Sequence, residues 1–230
     1  MSSTSNQEFK IILGSSSVAR KKILADMGFE FTTMSADIDE KAIRKEKPED
    51  LVMALAEAKA DAIVRKLENI KNQEKDAKTT TLVIAADTVE NVETKLHGKE
   101  DAEPTLLITC DQVVVYEDKI REKPSDKEEA RQFIKDYSGG FCSTVSSVLV
   151  TNLSTGFTKG ASDKVEIHFN DIPEKVIDNL IEEGHVLNVA GGLIIEHPLV
   201  LPYVKEVVGG TDSVMGLPKD LTRRLMKEVL

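Results

Sequence analysis

The sequence predicts an α/β fold, and three observations point to it. Apolar runs of strand length alternate with helical stripes along the 230 residues. Hydrophobic residues make up 40% of the chain, enough for a packed core. Only two cysteines are present, Cys110 and Cys142, so the core must hold without a disulfide framework.

Phe9 to Leu13 reads as a buried strand, broken by Gly14-Ser15-Ser16-Ser17. Ile23, Leu24 and Met27 then mark the apolar side of a helix closed by Gly28. Phe29 to Ala36 is a second strand, and Leu51, Val52, Leu55, Ala58, Ala62 and Ile63 form a helical stripe entered at Pro48. Residues 68–104 read as a flexible surface insertion in a single 1–230 domain, because Lys- and Glu-rich stretches surround one short apolar run. Thr105 to Tyr116 gives a strong central strand. Ser125 with Glu128 reads as a capping box for a helix carrying Ala130, Phe133, Ile134 and Tyr137, stopped at Gly139. Val145 to Val150 and Lys164 to Phe169 are further strands. Pro173 at a first helical position precedes Val176, Ile177, Leu180 and Ile181, and Leu217 to Leu230 forms the last helix.

Charge and composition exclude several classes. Lys plus Arg total 30 against 40 Asp plus Glu, a net charge of −10, which argues against a general binder of nucleic acid or anionic membrane. No run of about 18 apolar residues and no signal-type N-terminus is present, so a soluble, reducing, cytoplasmic setting is expected. His97, His168, His185 and His197 lack zinc-ligand spacing and do not neighbour a cysteine. Neither G-x-x-x-x-G-K-[ST], nor G-x-G-x-x-G, nor G-x-S-x-G occurs.

The remaining chemistry sits on a strand-to-helix turn and a set of charged residues. Gly14 to Arg20 empties a strand into serines at a helix N-terminus, where free N–H groups and the helix dipole favour an anion. Ser15 and Ser17 can add hydroxyl donors there, and Arg20 can clamp phosphate bidentately. Alternatively, Ser17 is a helix cap and Arg20 a solvated residue. Asp37-Ile38-Asp39-Glu40 offers carboxylates to a hard cation such as Mg²⁺, or is a solvated turn. Asp111 lies in an apolar strand, where a carboxylate is costly unless paired, so it faces a cleft or makes a structural hydrogen bond. Lys123, twelve residues on and before Pro124, returns toward the same sheet edge if a hairpin follows the strand. Lys123 and Lys59 can equally be exposed lysines.

Taken together, Leu13 to Arg20, Asp37 to Glu40, Ala54 to Ala60, Cys110 to Val114, Glu122-Lys123-Pro124, Tyr137 to Gly140 and Val214 to Pro218 resemble the Maf family of nucleoside triphosphate pyrophosphatases, in its plant-type, eukaryotic branch. The resemblance implies an elongated mixed sheet flanked by helices, with two lobes around a central cleft. It also implies hydrolysis of a nucleoside triphosphate to monophosphate and pyrophosphate, a divalent cation (Mg²⁺ or Mn²⁺) and a homodimer. Asp111 matches the family's proton acceptor, Ser15, Ser17 and Arg20 its phosphate loop, Glu40 with Asp111 its metal side, and Lys59 and Lys123 its basic residues. Asp87, in Ala85-Ala86-Asp87-Thr88-Val89, resembles the same strand motif but is not followed by Lys-Pro.

Base selection falls on Ala19, Gln112 and Glu196. Gln112 and Glu196 match the pattern of members acting on 7-methyl-GTP, whereas Ala19 matches neither that pattern nor that of the dTTP and UTP members, so both substrate classes stay open. A nucleotide-binding regulator of septum formation and division without turnover, and a general phosphatase, are the alternatives.

Overall fold

The structure, a computed structural model, describes residues 8–76 and 104–230. Its strands are β1 (Lys10–Leu13), β2 (Thr32–Thr33), β3 (Thr105–Tyr116), β4 (Lys119–Arg121), β5 (Phe141–Asn152), β6 (Thr158–Phe169) and β7 (Val204–Val208). The helices are α1 (Val18–Asp26), α2 (Pro48–Asp76), α3 (Lys127–Tyr137), α4 (Glu174–Glu183), α5 (Thr211–Val214) and α6 (Lys219–Val229). One mixed seven-stranded sheet runs β2-β1-β3-β5-β6-β7, with β4 also on β3. β1 lies parallel to both β2 and β3, and the other pairs are antiparallel. This is the expected mixed α/β architecture.

The long strands β3, β5 and β6 form a spine. β3 pairs with β5 continuously from Leu106 to Val115, and β5 pairs with β6 from Phe141 to Thr151. Separate apolar clusters gather along that spine. Ile11, Leu13, Leu24, Leu106, Cys110 and Val148 cluster toward β1, α1 and α6, while Ile12, Ala56, Ile63 and Leu107 bury one stripe of α2. Val114, Ile134, Tyr137, Ile167, Ile177 and Leu180 form another core with α3 and α4. A Leu or Ile buried in such a core contributes about 1.5–3 kcal/mol relative to exposure.

On the edge of β3 opposite β5, β1 pairs with Thr105 to Ile108 and β4 with Val114 to Tyr116. Residues 109–113 lie between these two partners. Around that interval the sheet edge is interrupted while its interior continues unbroken.

Several sequence expectations are corrected. The second strand shrinks to Thr32–Thr33. Helix α2 continues to Asp76, nine residues into the segment read as an insertion. The remainder of that segment, with Asp87 and His97, lies outside the described residues. Reciprocal capping of α3 is present but shifted by one residue. Asp126 Oδ1 accepts from Glu129 N at 2.8 Å, and Glu129 Oε2 accepts from Ser125 N at 2.6 Å. The carboxylate of Asp126 replaces the serine hydroxyl as cap, which suits the positive end of the helix dipole. Pro173 and Pro218 stand at N-cap positions, one residue before their helices. The turn after β3 is a two-residue hairpin with Glu117 and Asp118 both at positive φ, so the chain does double back toward Lys123.

Candidate active site

The loop leaving β1 is pressed against β3. A side chain added at Gly14 would come within 2.6 Å of Thr109 Cγ2 and 2.7 Å of Ile63 Cδ1, so only glycine lets the turn pass this close. Ser15 Oγ accepts from Ser17 N at 3.2 Å, and Ser17 Oγ caps α1 by accepting from Arg20 N at 3.4 Å. The cap reading of Ser17 therefore holds, and its hydroxyl hydrogen is still available to donate.

Arg20 is not a solvated helix residue. Its Nη1 donates to the Cys110 carbonyl at 2.9 Å and its Nε to the Gly216 carbonyl at 3.0 Å. Among the described residues the other guanidinium hydrogens make no hydrogen bond, and these two bonds fix the planar group.

Asp111 follows Cys110 on β3 and projects toward α2. Its residue is 8% exposed, and its Oδ1 lies 2.6 Å from Lys59 Nζ. The same ammonium lies 2.8 Å from Glu40 Oε1, so Lys59 bridges two carboxylates. Glu40 reaches this position from a short 3₁₀ turn, Glu40–Ala42, capped by Asp39 Oδ1 accepting from Lys41 N. Of the acidic tetrad, Glu40 is the member brought to Lys59, though its side chain stays about half exposed at 48%; Asp37 and Asp39 are exposed as well.

Burial pushes the Asp111 carboxyl above the ordinary carboxylate range. The charge and hydrogen bond of Lys59, then the charge of Arg20, pull it back only in part. Glu40 is desolvated too, but the Lys59 hydrogen bond and the charges of Lys59, Lys123 and Arg20 together hold it below its usual value. Lys123 is exposed and acts on Glu40 through its charge. Two carboxylates sharing one lysine are thus pushed apart in acidity.

Hydroxyls dock the elements that carry these groups. Thr109 Oγ1 donates to the Ala56 carbonyl of α2 at 2.8 Å, and Ser147 Oγ to the Val52 carbonyl at 2.7 Å. Asp111 N donates in turn to Ser147 Oγ at 3.2 Å. The sequence reading missed these residues. For Ser147 the signal was the run Ser143, Thr144, Ser146 and Ser147, polar residues that are all buried in β5.

Gln112 projects to the opposite face of β3. Its Nε2 donates to Val214 O at 2.7 Å, Ser213 O at 3.0 Å and Ser146 Oγ at 3.0 Å. Ala19 is half-buried beside Arg20 in the first turn of α1, while Glu196 is exposed in the segment between the 3₁₀ turns Ala190–Gly192 and Leu201–Tyr203. The structure gives neither Ala19 nor Glu196 a contact with Asp111. That segment is tied down by Tyr137 OH donating to Gly191 O, by Gly191 N donating to Glu122 O, and by His197 Nε2 at 2.9 Å from Glu183 Oε2. Among the described residues, no group of three or more His, Cys, Asp or Glu side chains gathers as a metal cage, and no helix is long and apolar enough to cross a membrane.

A mixed α/β sheet with a serine-rich turn at a helix N-terminus and a lysine-bridged carboxylate pair at an interruption of its edge is an arrangement suited to proteins that handle phosphate. The family model described as Maf-like protein matches residues 10–229. The chain is 35% identical over 219 residues to the 7-methyl-GTP pyrophosphatase of Dictyostelium discoideum, covering 95% of this chain and 96% of that protein. It is 29% identical over 220 residues to a dTTP/UTP pyrophosphatase of Geobacillus sp., covering 96% and 98%. Against a nucleoside triphosphate pyrophosphatase of Salinispora tropica the identity is 25% over 220 residues, covering 96% and 84%. The chain belongs to the Maf family.

Proposed function

We propose that the protein is a nucleoside triphosphate pyrophosphatase that releases pyrophosphate and leaves the nucleoside monophosphate. One observation carries the reading: Arg20 is pinned to the carbonyl of Cys110, one peptide unit from the Asp111 carboxylate. A phosphate held by Arg20 and the Ser15 to Ser17 turn is therefore presented beside a buried base. The relatives named as pyrophosphatases support the same reaction.

Asp111 takes a proton from a water as its oxygen bonds to the α-phosphorus. The bond from that phosphorus to the oxygen bridging to the β-phosphorus breaks, and the electron pair leaves with pyrophosphate. Lys59 keeps Asp111 ionised against its burial. Arg20 and Lys123 offset charge developing on the phosphoryl oxygens and the leaving group. The oxygen donors of Glu40 and Asp111 suit Mg²⁺ or Mn²⁺, which takes one or two carboxylates together with substrate phosphates. Such an ion, when bound, supplies further neutralisation of the triphosphate.

For the base, the favoured substrate is 7-methyl-GTP. Glu196 is exposed, and a carboxylate there can accept from two donors on a guanine edge that uracil does not offer. The relatives named for dTTP and UTP keep pyrimidine triphosphates as the second reading. The enzyme is proposed to work in the cytoplasm as a homodimer on free nucleotides.

The deciding experiment measures pyrophosphate and orthophosphate release from 7-methyl-GTP, dTTP, UTP, CTP and ITP, with Mg²⁺, with Mn²⁺ and with EDTA. Pyrophosphate from at least one nucleotide, abolished by EDTA, is expected. Orthophosphate alone would indicate a general phosphatase, and binding without turnover a regulator of division.

A further inference from the structure

We propose that His197 is a positioning residue for Glu196, tethering the turn that carries it to helix α4; the inference rests on the base-reading role given to Glu196 above. Residues 194–201 fold into a turn around His197. Its N donates to Ile194 O at 3.2 Å, and its own carbonyl accepts from Val200 N and Leu201 N, both at 2.9 Å. The ring takes part as well: Nδ1 accepts from Leu199 N at 3.2 Å, and Nε2 lies 2.9 Å from Glu183 Oε2. A ring nitrogen that accepts from a main-chain N–H carries no hydrogen of its own. The partners therefore assign the hydrogen to Nε2, which donates it to Glu183.

That bond joins the turn to a fixed support. Glu183 is the last residue of α4, whose Ile177, Leu180 and Ile181 are buried in the core shared with α3. Ile195 and Val200 sink the two feet of the turn into the same core. Between those feet Glu196 and Pro198 stay exposed, on either side of the half-buried His197. Two apolar feet fix where the turn stands, but they leave the span between them free to roll about the line that joins them. A ring held at Nδ1 from within the turn and at Nε2 from α4 stops that roll. It thereby sets the direction in which the adjoining Glu196 leaves the chain, and a carboxylate that accepts from two donors on one planar base edge needs that direction fixed.

His197→Asn isolates the tether, because the asparagine oxygen can still accept from Leu199 N while the shorter side chain no longer reaches Glu183. KM for 7-methyl-GTP is expected to rise about tenfold with kcat within about twofold, so that the ratio of kcat/KM between 7-methyl-GTP and UTP falls. Inorganic tripolyphosphate, which has no base, should bind the variant within about twofold of wild type in calorimetry. Glu183→Ala should reproduce the loss, whereas Glu183→Gln, whose amide oxygen still accepts from Nε2, should keep most of the wild-type ratio. With its side chain 43% exposed at a helix end, Glu183 tests the tether even if His197→Asn does not fold. The double variant Glu196→Ala/His197→Asn should discriminate no worse than Glu196→Ala alone. An unchanged base ratio in both His197→Asn and Glu183→Ala, equal losses in Glu183→Gln and Glu183→Ala, additive losses in the double variant, or a matching loss of tripolyphosphate binding overturns the proposal. A base ratio left unchanged by Glu196→Ala would instead sink the base-reading role of Glu196, and this inference with it.

Discussion

At Asp111, function and stability pull in opposite directions. An unfolded aspartate titrates near ~3.9, and burial raises the folded value above that. Between the two values the folded protein binds more protons, so this group favours folding as pH falls through that window. At neutral pH its ionised form is a cost. Asp111→Asn removes that cost and leaves Lys59 its bond to Glu40. The variant is expected to lose pyrophosphate release by at least about 10³-fold, the scale of a lost base and nucleophile orientation, with an unchanged or higher melting temperature. Normal activity in this variant would remove Asp111 from the mechanism. With Asp111 as the proposed base, which must be ionised to act, log kcat/KM should fall with unit slope on acidification, with a midpoint above ~3.9. Glu40 has the opposite sign: its lowered value adds stability above its unfolded value near ~4.3, lost as pH falls through the folded one.

Among the elements, those with a strong apolar period were legible in the sequence: β1, β3, α2, α3, α4 and α6. The first half of β6 was not, because Thr158 to Ser162 is mostly polar and exposed and is strand only through its pairing with β5. β4 and β7 escaped for a similar reason, being short strands whose partners are distant in sequence or reached through a tight turn. The site followed the same division. Asp111, Lys59, Glu40 and Arg20 could be named from their motifs, whereas the hydroxyls that dock α2 could not. Their value depends on which helix carbonyl lies opposite. Thr109→Val tests that docking by keeping the shape and deleting the donor to Ala56 O. A loss of about 1 kcal/mol is expected, or about 2–4 °C in the melting temperature, together with reduced kcat because Lys59 lies one turn beyond Ala56. A shift in neither would show that apolar packing alone sets the position of α2.

For the whole molecule, the core around α3 and α4 has its own cationic centre. Arg121 pairs with Asp136, donates to Phe133 O, and stands over the rings of Tyr116, Phe133 and Tyr137 at 4.3, 4.4 and 5.2 Å. A lysine cannot reproduce a planar group stacked and hydrogen-bonded at once. Arg121→Lys should destabilise the fold by about 1–3 kcal/mol in urea unfolding, with pyrophosphate release retained at low temperature. Loss of turnover without loss of stability would place Arg121 in the site itself.

The uninterrupted β3, β5 and β6 also constrain how substrate gets in. Where two lobes are joined by a linker, a hinge can swing them apart as rigid bodies. Here the interruption at residues 109–113 is backed by hydrogen-bonded strands that cross it without a break. The backing behaves as a leaf spring, and its strands can twist or flex but cannot pivot. Entry and release are then tasks for the loops at its rim, and the distance between spin labels on α1 and α4 should change little between the free and nucleotide-bound protein.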